Sequence, residues 1–258
     1  MSGELLYEVR DHVAYVTLNR PKALNSISHD LDVELEQKWI EIDANPDIWV
    51  AVLSAAGDRA FCAGADISGG TGAHSSRLAL GGGLTGIGGP LRVLKKPLIA
   101  VVHGYALGGG FELAMCADLI IAADNAQFGL PEVKAGIIGE SGVMHRAIRQ
   151  LPHHVAMALI LTGERMSAAD AERYGLVNEV VPFAELQQTA EKWAAKLTVA
   201  SPLAQQAAKE AVLSRLGGSL ETALATKYEP IEAYFHTEDV KEGRLAFQEK
   251  RLPTWSGR

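Results

Sequence analysis

The stretch Pro97-Leu-Ile-Ala-Val-Val-His-Gly-Tyr-Ala-Leu-Gly-Gly-Gly-Phe-Glu112 joins a short apolar run to a glycine triplet and an acidic residue. The run from Pro97 to Val102 is typical of a buried β-strand, and a helix is expected to begin at about Gly109. Glycines between a strand and a helix leave backbone N–H groups uncovered at the positive end of the helix dipole. Such a turn can bind a phosphate or stabilise an oxyanion, or it can simply allow close packing.

Two common phosphate-binding motifs do not fit this glycine turn. A dinucleotide fingerprint that starts at Gly108 requires glycine or alanine at the position of Leu113. A P-loop requires Gly-Lys followed by serine or threonine, and the sequence lacks this combination. The turn therefore remains a candidate oxyanion site or a packing feature.

A second turn of small residues, Phe61-Cys-Ala-Gly-Ala-Asp66, follows the apolar strand predicted at Val50–Ser54. On its own it indicates only a turn. Its interest is that two N–H donors from separate turns can hold one oxygen, and removal of one such donor typically costs about 10²–10³ in rate.

Two glutamates lie at the starts of expected helices. Glu112 falls in the first turn after the glycine triplet, and Glu132 follows Leu130-Pro131. Each acid could simply complement a helix dipole. Their apolar neighbours indicate, however, that neither faces open water, and two such carboxylates close together would share one proton. A pair of this kind can accept one proton and donate another, as addition of water to a double bond requires.

Other catalytic interpretations are weaker. The run Gly139-Glu-Ser-Gly-Val143 misses the nucleophile-elbow pattern of serine hydrolases at its last position, so Ser141 is expected to be a loop or capping residue. Cys62 is expected to be a packing residue rather than a nucleophile. None of the eight histidines has metal-site spacing with carboxylate or cysteine, and no metal site is predicted.

The rest of the chain predicts an α/β fold with a helical C-terminal third. Further strands are expected at Val13–Leu18 and Leu119–Ala123, and a helix from a Ser28 cap to about Ala44. Residues 68–90 contain nine glycines and are predicted to form a loop. From about His153 the signals are mainly helical, with helix starts at Ser201-Pro202 and near Thr237.

The net charge, the cysteine count and the lack of long apolar stretches limit the kinds of partner and cellular location that the chain is expected to have. The 258 residues carry a net charge of −7, which argues against general attraction to nucleic acid or to anionic membranes. Two cysteines are too few for a disulfide framework. We find neither a signal peptide nor an apolar stretch long enough to span a bilayer, so a cytoplasmic location is expected.

Together these segments resemble the enoyl-CoA hydratase/isomerase, or crotonase, family across essentially the whole chain. The matching stretches, in order, are Asn19–Asn25, Phe61–Asp66, Gly104–Glu112, Phe128–Glu132, Leu161–Gly163, Ala171–Val181 and Ala246–Arg251. The resemblance implies a crotonase-type spiral of ββα units over residues 1–195 and a C-terminal helical trimerisation segment over 196–258. It also implies a homotrimer or a dimer of trimers, that is, a hexamer.

The resemblance further implies the roles of individual residues. The N–H groups of Ala63 and Gly109 would form the oxyanion hole, and Glu112 and Glu132 would be the two catalytic carboxylates. Glu112 would deprotonate water and Glu132 would deliver a proton to Cα. Three groups of residues would bind coenzyme A, which is part of the substrate rather than a separate cofactor. They are Lys22, Ala23 and Leu24 along its length, Ala65, Asp66 and Ile67 near its adenine, and Phe247 and Lys250 from a neighbouring subunit.

The pair Glu140-Ser141 resembles the carnitinyl-CoA dehydratase branch of the family. Our hypothesis is that Glu140 borders the acyl pocket and favours a cationic head group such as trimethylammonium. The alternative is an acid on a surface loop.

The resulting prediction is a hydro-lyase that adds water reversibly and syn to a 2-enoyl-CoA thioester, as in fatty acid metabolism, without a metal or redox cofactor. Three alternatives stay open: a crotonobetainyl-CoA hydratase/carnitinyl-CoA dehydratase, an enoyl-CoA isomerase in which one glutamate shuttles a proton, and a non-catalytic acyl-CoA-binding protein.

Overall fold

The computed structural model describes residues 3–66, 94–139 and 142–258. Within these ranges ten strands form two sheets. The strands are β1 (Leu5–Arg10), β2 (Val13–Leu18), β3 (Val50–Ala55), β4 (Ala60–Cys62), β5 (Leu98–Val102), β6 (Tyr105–Leu107), β7 (Leu119–Ala123), β8 (Gln127–Gly129), β9 (Arg165–Ser167) and β10 (Glu179–Val181). The four strands predicted from apolar runs are confirmed as β2, β3, β5 and β7.

The large sheet has the order β1-β2-β3-β5-β7-β10, and the small sheet has the order β4-β6-β8-β9. Only β1–β2 and β8–β9 pair antiparallel; the other neighbours are parallel. In each of the successive pairs β3/β4, β5/β6 and β7/β8, the first strand joins the large sheet and the second joins the small one. This alternation is the predicted spiral of ββα units.

Helices cover both faces of the large sheet. Helix α1 (His29–Ala44) begins as predicted, with the Ser28 hydroxyl accepting the Leu31 N–H, and its apolar stripe is fully buried: Leu31, Leu35, Trp39 and Ile42. Helix α2 (Gly109–Met115) begins at the predicted residue, shortly after β6 of the small sheet ends at Leu107. The other helices are α3 (Val143–Gln150), α4 (His153–Thr162), α5 (Ala168–Arg173), α6 (Leu186–Thr198), α7 (Pro202–Arg215), α8 (Leu220–Ala225), α9 (Glu229–Tyr234) and α10 (Glu238–Glu249).

Both predicted helix starts in the C-terminal third are confirmed. Ser201 caps α7 by accepting the Ala204 N–H, and Thr237 caps α10 by accepting the Val240 N–H. The division predicted at residue 195 stays a prediction, and it falls inside α6, which packs against the large sheet. The predicted loop at 68–90 lies outside the described residues.

The C-terminal helices leave large apolar side chains exposed. At least 40% of each of the following is accessible: Val212, Leu213, Leu216, Leu220, Leu224, Phe235, Leu245, Phe247 and Leu252. Apolar surface of this extent is typical of protein–protein contacts. Among the described helices, none is long and apolar enough to cross a membrane.

Buried Asn25 ties the segment at residues 20–25 to the β3–β4 connection. Its Oδ1 accepts the Arg20 N–H at 2.8 Å, and its Nδ2 donates to the carbonyl oxygens of Ala56 and Ala60 at 2.9 and 2.8 Å. Its φ of 53° lies in the left-handed region that asparagine tolerates better than most residues. The side chain thus satisfies three backbone groups at once, through one buried and two partly buried hydrogen bonds.

We expect Asn25→Ala to lower the free energy of unfolding by roughly 2–4 kcal/mol, because three buried or partly buried backbone groups lose their partner. The measurement is urea denaturation at one protein concentration, since association would shift the midpoint. Asn19→Ala, which removes one bond to the Gly3 carbonyl, is the matched control and should cost less than about 1 kcal/mol. Equal losses for the two variants would contradict this role.

Candidate active site

Two glycine-containing turns meet at the ends of the paired strands β4 and β6. A Cβ atom at Gly110 would collide with the carbonyl oxygen of Cys62. At Gly64, where φ is +101°, a Cβ atom would lie 3.0 Å from the Leu107 carbonyl oxygen and 3.4 Å from the Gly109 nitrogen. The turns predicted to supply N–H donors therefore approach one another, and glycine is what permits the approach.

The structure corrects the prediction that Ala63 supplies an oxyanion-hole donor. The Ala63 N–H donates to the carbonyl oxygen of Leu24 at 3.0 Å, so this hydrogen already holds the turn against the 20–25 segment. Two residues further on, Ala65 is exposed, and its flanking groups bond to Ile27 instead. No acceptor for the N–H of Ala65 or of Gly109 is found among the described residues. These two groups are the better donor pair.

Glu112 lies in the first turn of α2 with only 3% of the residue exposed. Its neighbours Phe111 and Leu113 are buried, as the sequence indicated. Its Oε1 accepts a hydrogen bond from Arg146 Nη1 of α3 at 3.0 Å. Sequence analysis missed Arg146, which is 34 residues from Glu112 and belongs to no recognisable motif.

Glu132 stands on a 3-10 turn, Pro131–Ala135, that directly follows β8. Strand β8 pairs with β6, and the Gly108 N–H donates to the Gly129 carbonyl at 2.9 Å, which brings this turn to the glycine triplet. A Cβ atom at Gly108 would lie 2.9 Å from Glu132 Oε1. The glycine triplet thus carries Glu112 on its helix and has Glu132 beside its first residue.

The two glutamates have different surroundings. Desolvation raises the pKa of Glu132 above its ordinary value, and a hydrogen bond from its own backbone N–H opposes this only in part. Its Oε2 is buried and has no hydrogen-bond partner in the described part of the chain. Glu112, by contrast, faces a guanidinium. Different surroundings of this kind separate an acid from a base within a carboxylate pair.

The cysteines do not offer a competing nucleophile. Burial raises the pKa of both Cys62 and Cys116 to about 12, which leaves them as neutral thiols at physiological pH. Within the described ranges, no three His, Cys, Asp or Glu side chains are grouped so that they could hold a metal ion.

A recess beside Glu132 is lined almost wholly by apolar groups. The other lining residues are Leu130, Val133, Ile138, Gly139, Met144 and Ile160. Glu140, the residue expected to border the acyl pocket, lies outside the described residues, as does Ser141. The described residues therefore form an apolar wall beside the Glu132 carboxyl group.

Most residues expected along coenzyme A share one exposed edge. Lys22 and Ala23 lie on an exposed 3-10 turn, Pro21–Ala23, which Leu24 ends and joins to Ala63. Asp66 is held by Arg20, whose guanidinium also binds Glu4 at 2.8 Å and the Ser26 carbonyl at 2.6 Å.

Three further residues expected to bind coenzyme A are not brought to this edge by the described chain. Ile67 lies outside the described residues. Phe247 and Lys250 lie at the end of α10, and Phe247 is 86% exposed, so it has no packing role within its own chain. Their contact with a neighbouring subunit's site stays a prediction.

Comparison with known proteins agrees with this geometry. The family model described as enoyl-CoA hydratase/isomerase matches residues 8–258. An (E)-benzylidenesuccinyl-CoA hydratase of Thauera aromatica is 40% identical over 97% of this chain and 98% of its own length. A carnitinyl-CoA dehydratase of Escherichia coli K12 is 39% identical over the full length of both chains.

Solved structures give the same result. A chain described as a short chain enoyl-CoA hydratase from Novosphingobium aromaticivorans DSM 12444 is 60% identical, with a TM-score of 0.92 over 100% of this chain and 99% of that one. An enoyl-CoA hydratase from Mycobacterium tuberculosis H37Rv is 37% identical, with a TM-score of 0.90 over the whole of both chains. The chain therefore belongs to the enoyl-CoA hydratase/isomerase, or crotonase, family, near its carnitinyl-CoA dehydratase branch.

Proposed function

We propose that this protein is an enoyl-CoA hydratase that adds water reversibly and syn across the Cα=Cβ bond of a 2-enoyl-CoA thioester. One observation carries the proposal: two buried or half-buried glutamates with different surroundings flank a single glycine turn that has uncommitted N–H groups. Relatives described as hydratases and as dehydratases catalyse the two directions of one reaction type, which supports a hydro-lyase.

The mechanism follows from the division of donors and carboxylates. The N–H groups of Ala65 and Gly109 bind the thioester oxygen, so that negative charge moves onto this oxygen when water attacks Cβ. Glu112, as the carboxylate, takes a proton from the attacking water. Glu132, as the acid, delivers its proton to Cα as the enolate collapses. The reverse sequence of proton transfers eliminates water.

Coenzyme A binding extends from the same turns. Lys22, Ala23 and Leu24 lie along the pantetheine and phosphate portion, and Ala65, Asp66 and Ile67 lie near the adenine. Because the net charge of the chain is −7, the anionic phosphates depend on local cations such as Lys22 rather than on the whole surface.

Assembly supplies the remaining contacts. The exposed apolar side chains of the C-terminal helices support a homotrimer or a dimer of trimers, in which Phe247 and Lys250 of one subunit approach the coenzyme A of another. We expect the assembly to work in the cytoplasm.

Replacing either catalytic carboxylate should abolish most of the activity. We expect Glu112→Gln and Glu132→Gln each to lower kcat for hydration of crotonyl-CoA by about 10²–10⁴, the usual contribution of a positioned acid or base. The assay follows loss of the conjugated double bond, with ¹⁸O-water to show that oxygen enters the product. Glu221→Gln, at an exposed helix start, is the control and should be unaffected.

An isomerase that uses one glutamate would give a different outcome. It would convert 3-enoyl-CoA to 2-enoyl-CoA without incorporating ¹⁸O, and one of the two variants would keep nearly full activity. A non-catalytic binder would bind the thioester with no turnover in any variant.

The convergence of the two turns can be tested through Gly110. We expect Gly110→Ala to lower kcat by about 10² or more, because the added Cβ pushes the Cys62 turn away and separates the two N–H donors. Gly217→Ala is the matched control, since a Cβ there meets nothing within 4 Å. Steady-state kinetics and a thermal midpoint on both variants distinguish lost catalysis from lost folding. An active Gly110→Ala enzyme would sink the donor model.

The identity of the acyl group separates the proposed function from a second candidate, the hydration of crotonobetainyl-CoA. The apolar lining beside Glu132 favours an uncharged chain such as crotonyl, whereas the carnitinyl-CoA dehydratase relatives and Glu140 favour a trimethylammonium group. We expect crotonyl-CoA to have the higher kcat/KM. Turnover of crotonyl-CoA and crotonobetainyl-CoA by the wild type and by Glu140→Gln measures the preference. A crotonobetainyl preference that the variant loses would reverse our choice, and an unchanged ratio would exclude Glu140 from head-group selection.

A further inference from the structure

Arg146 is a cation that faces Glu112, and the side chains of both residues are largely withdrawn from water. The Arg146 side chain is 15% exposed and the Glu112 side chain 4% exposed, with Nη1 and Oε1 3.0 Å apart. An opposite charge at this distance favours the ionised form of a carboxyl group, and it does so more strongly where water is scarce.

The local backbone makes room for this ion pair. Gly142 precedes α3 with a φ of +97°, and its carbonyl accepts the Arg146 N–H at 3.0 Å. A Cβ atom at position 142 would lie 2.5 Å from Arg146 Nη1 and 3.2 Å from Glu112 Oε1. The Cβ atom of any other residue at 142 would thus crowd both Arg146 and Glu112. Glycine at this position leaves room for the ion pair between α2 and α3.

We propose that Arg146 is a positioning residue that holds Glu112 as a carboxylate, so that the single proton of the glutamate pair resides on Glu132. This inference rests on the proposed hydration, and it assigns the direction of the two proton transfers. Without the guanidinium, burial would favour the protonated form of Glu112, which cannot accept a proton from water.

Other titratable groups lie on the described elements that pack around the Arg146–Glu112 ion pair. Cys116, one helical turn after Glu112, has its pKa raised to about 12 and stays neutral. Lys209 of α7 binds Asp118 at 2.6 Å. His145 and Arg149 of α3 lie on its exposed side, where Arg149 donates to the His145 carbonyl. The remaining groups on the packed elements are Cys62, Tyr105, Glu132, Lys134, His153 and His154.

The pH dependence of kcat/KM for crotonyl-CoA tests the assignment. In Arg146→Gln we expect the acidic limb to move upward by about 1–3 pH units, the usual effect of a neighbouring opposite charge, with KM within about threefold of the wild type. Arg146→Lys keeps the charge and should leave the limb near its original position. Arg149→Gln, on the same helix, is the matched control and should not move it.

A uniform loss of rate at every pH in Arg146→Gln would overturn the proposal, because that is the signature of a merely structural residue. Failure of the wild type to hydrate any enoyl-CoA would instead reject the proposed function. The location of the proton would then be tested by infrared spectroscopy alone.

A second test uses infrared spectroscopy of ligand-free protein in which Arg146 is intact. It therefore does not depend on whether the arginine variants fold or turn over substrate. The band of a protonated carboxyl group at neutral pH should disappear in Glu132→Gln and persist in Glu112→Gln. Loss of this band in Glu112→Gln would show that the proton resides on Glu112, and the proposal would then be wrong.

Discussion

The close approach of the Gly110 backbone to the carbonyl oxygen of Cys62 is the constraint on which the site depends. It holds the turn after β4 against the start of α2, and so it brings together N–H groups that are more than forty residues apart in sequence. The approach is possible because neither Gly110 nor Gly64 carries a side chain. The same helix start fixes Glu112, and the pairing of β6 with β8 fixes Glu132 beside Gly108. One local contact and one strand pairing thus position both turns and both glutamates.

The parts of the fold that the sequence predicted are those with a strong local signal. The stripe Leu31, Leu35, Trp39 and Ile42 and the Ser28 cap define α1 by themselves, and the apolar runs define the central strands. The small sheet escaped prediction because its strands are only three residues long, too short for an alternation of apolar and polar residues to be read. Strand β1 was missed too; in it only Leu5 is buried, so it has no clear alternation.

The sequence predicted which segments come together, but not which backbone atoms in them are hydrogen-bonded. Both glutamates and both turns lie close together as expected, whereas the N–H of Ala63, the expected donor, is bonded to Leu24. Which N–H in a turn is uncommitted depends on its partners, here Leu24 and Ile27, and these come from a segment about forty residues away. Arg146 was missed for a similar reason, since an ion pair between two helices leaves no periodic pattern in the sequence.

The sequence alone predicted two similar carboxyl groups that share a proton. The structure separates them by surroundings that act in opposite directions: a guanidinium lies beside Glu112, whereas burial desolvates Glu132, which has no cation beside it among the described residues. Hydration needs this asymmetry, because a base must face the water while an acid faces Cα. A pair with equal surroundings would divide its proton between two states, only one of which is competent for addition. The ion pair between α2 and α3 therefore gives two residues of the same type different electrostatic surroundings.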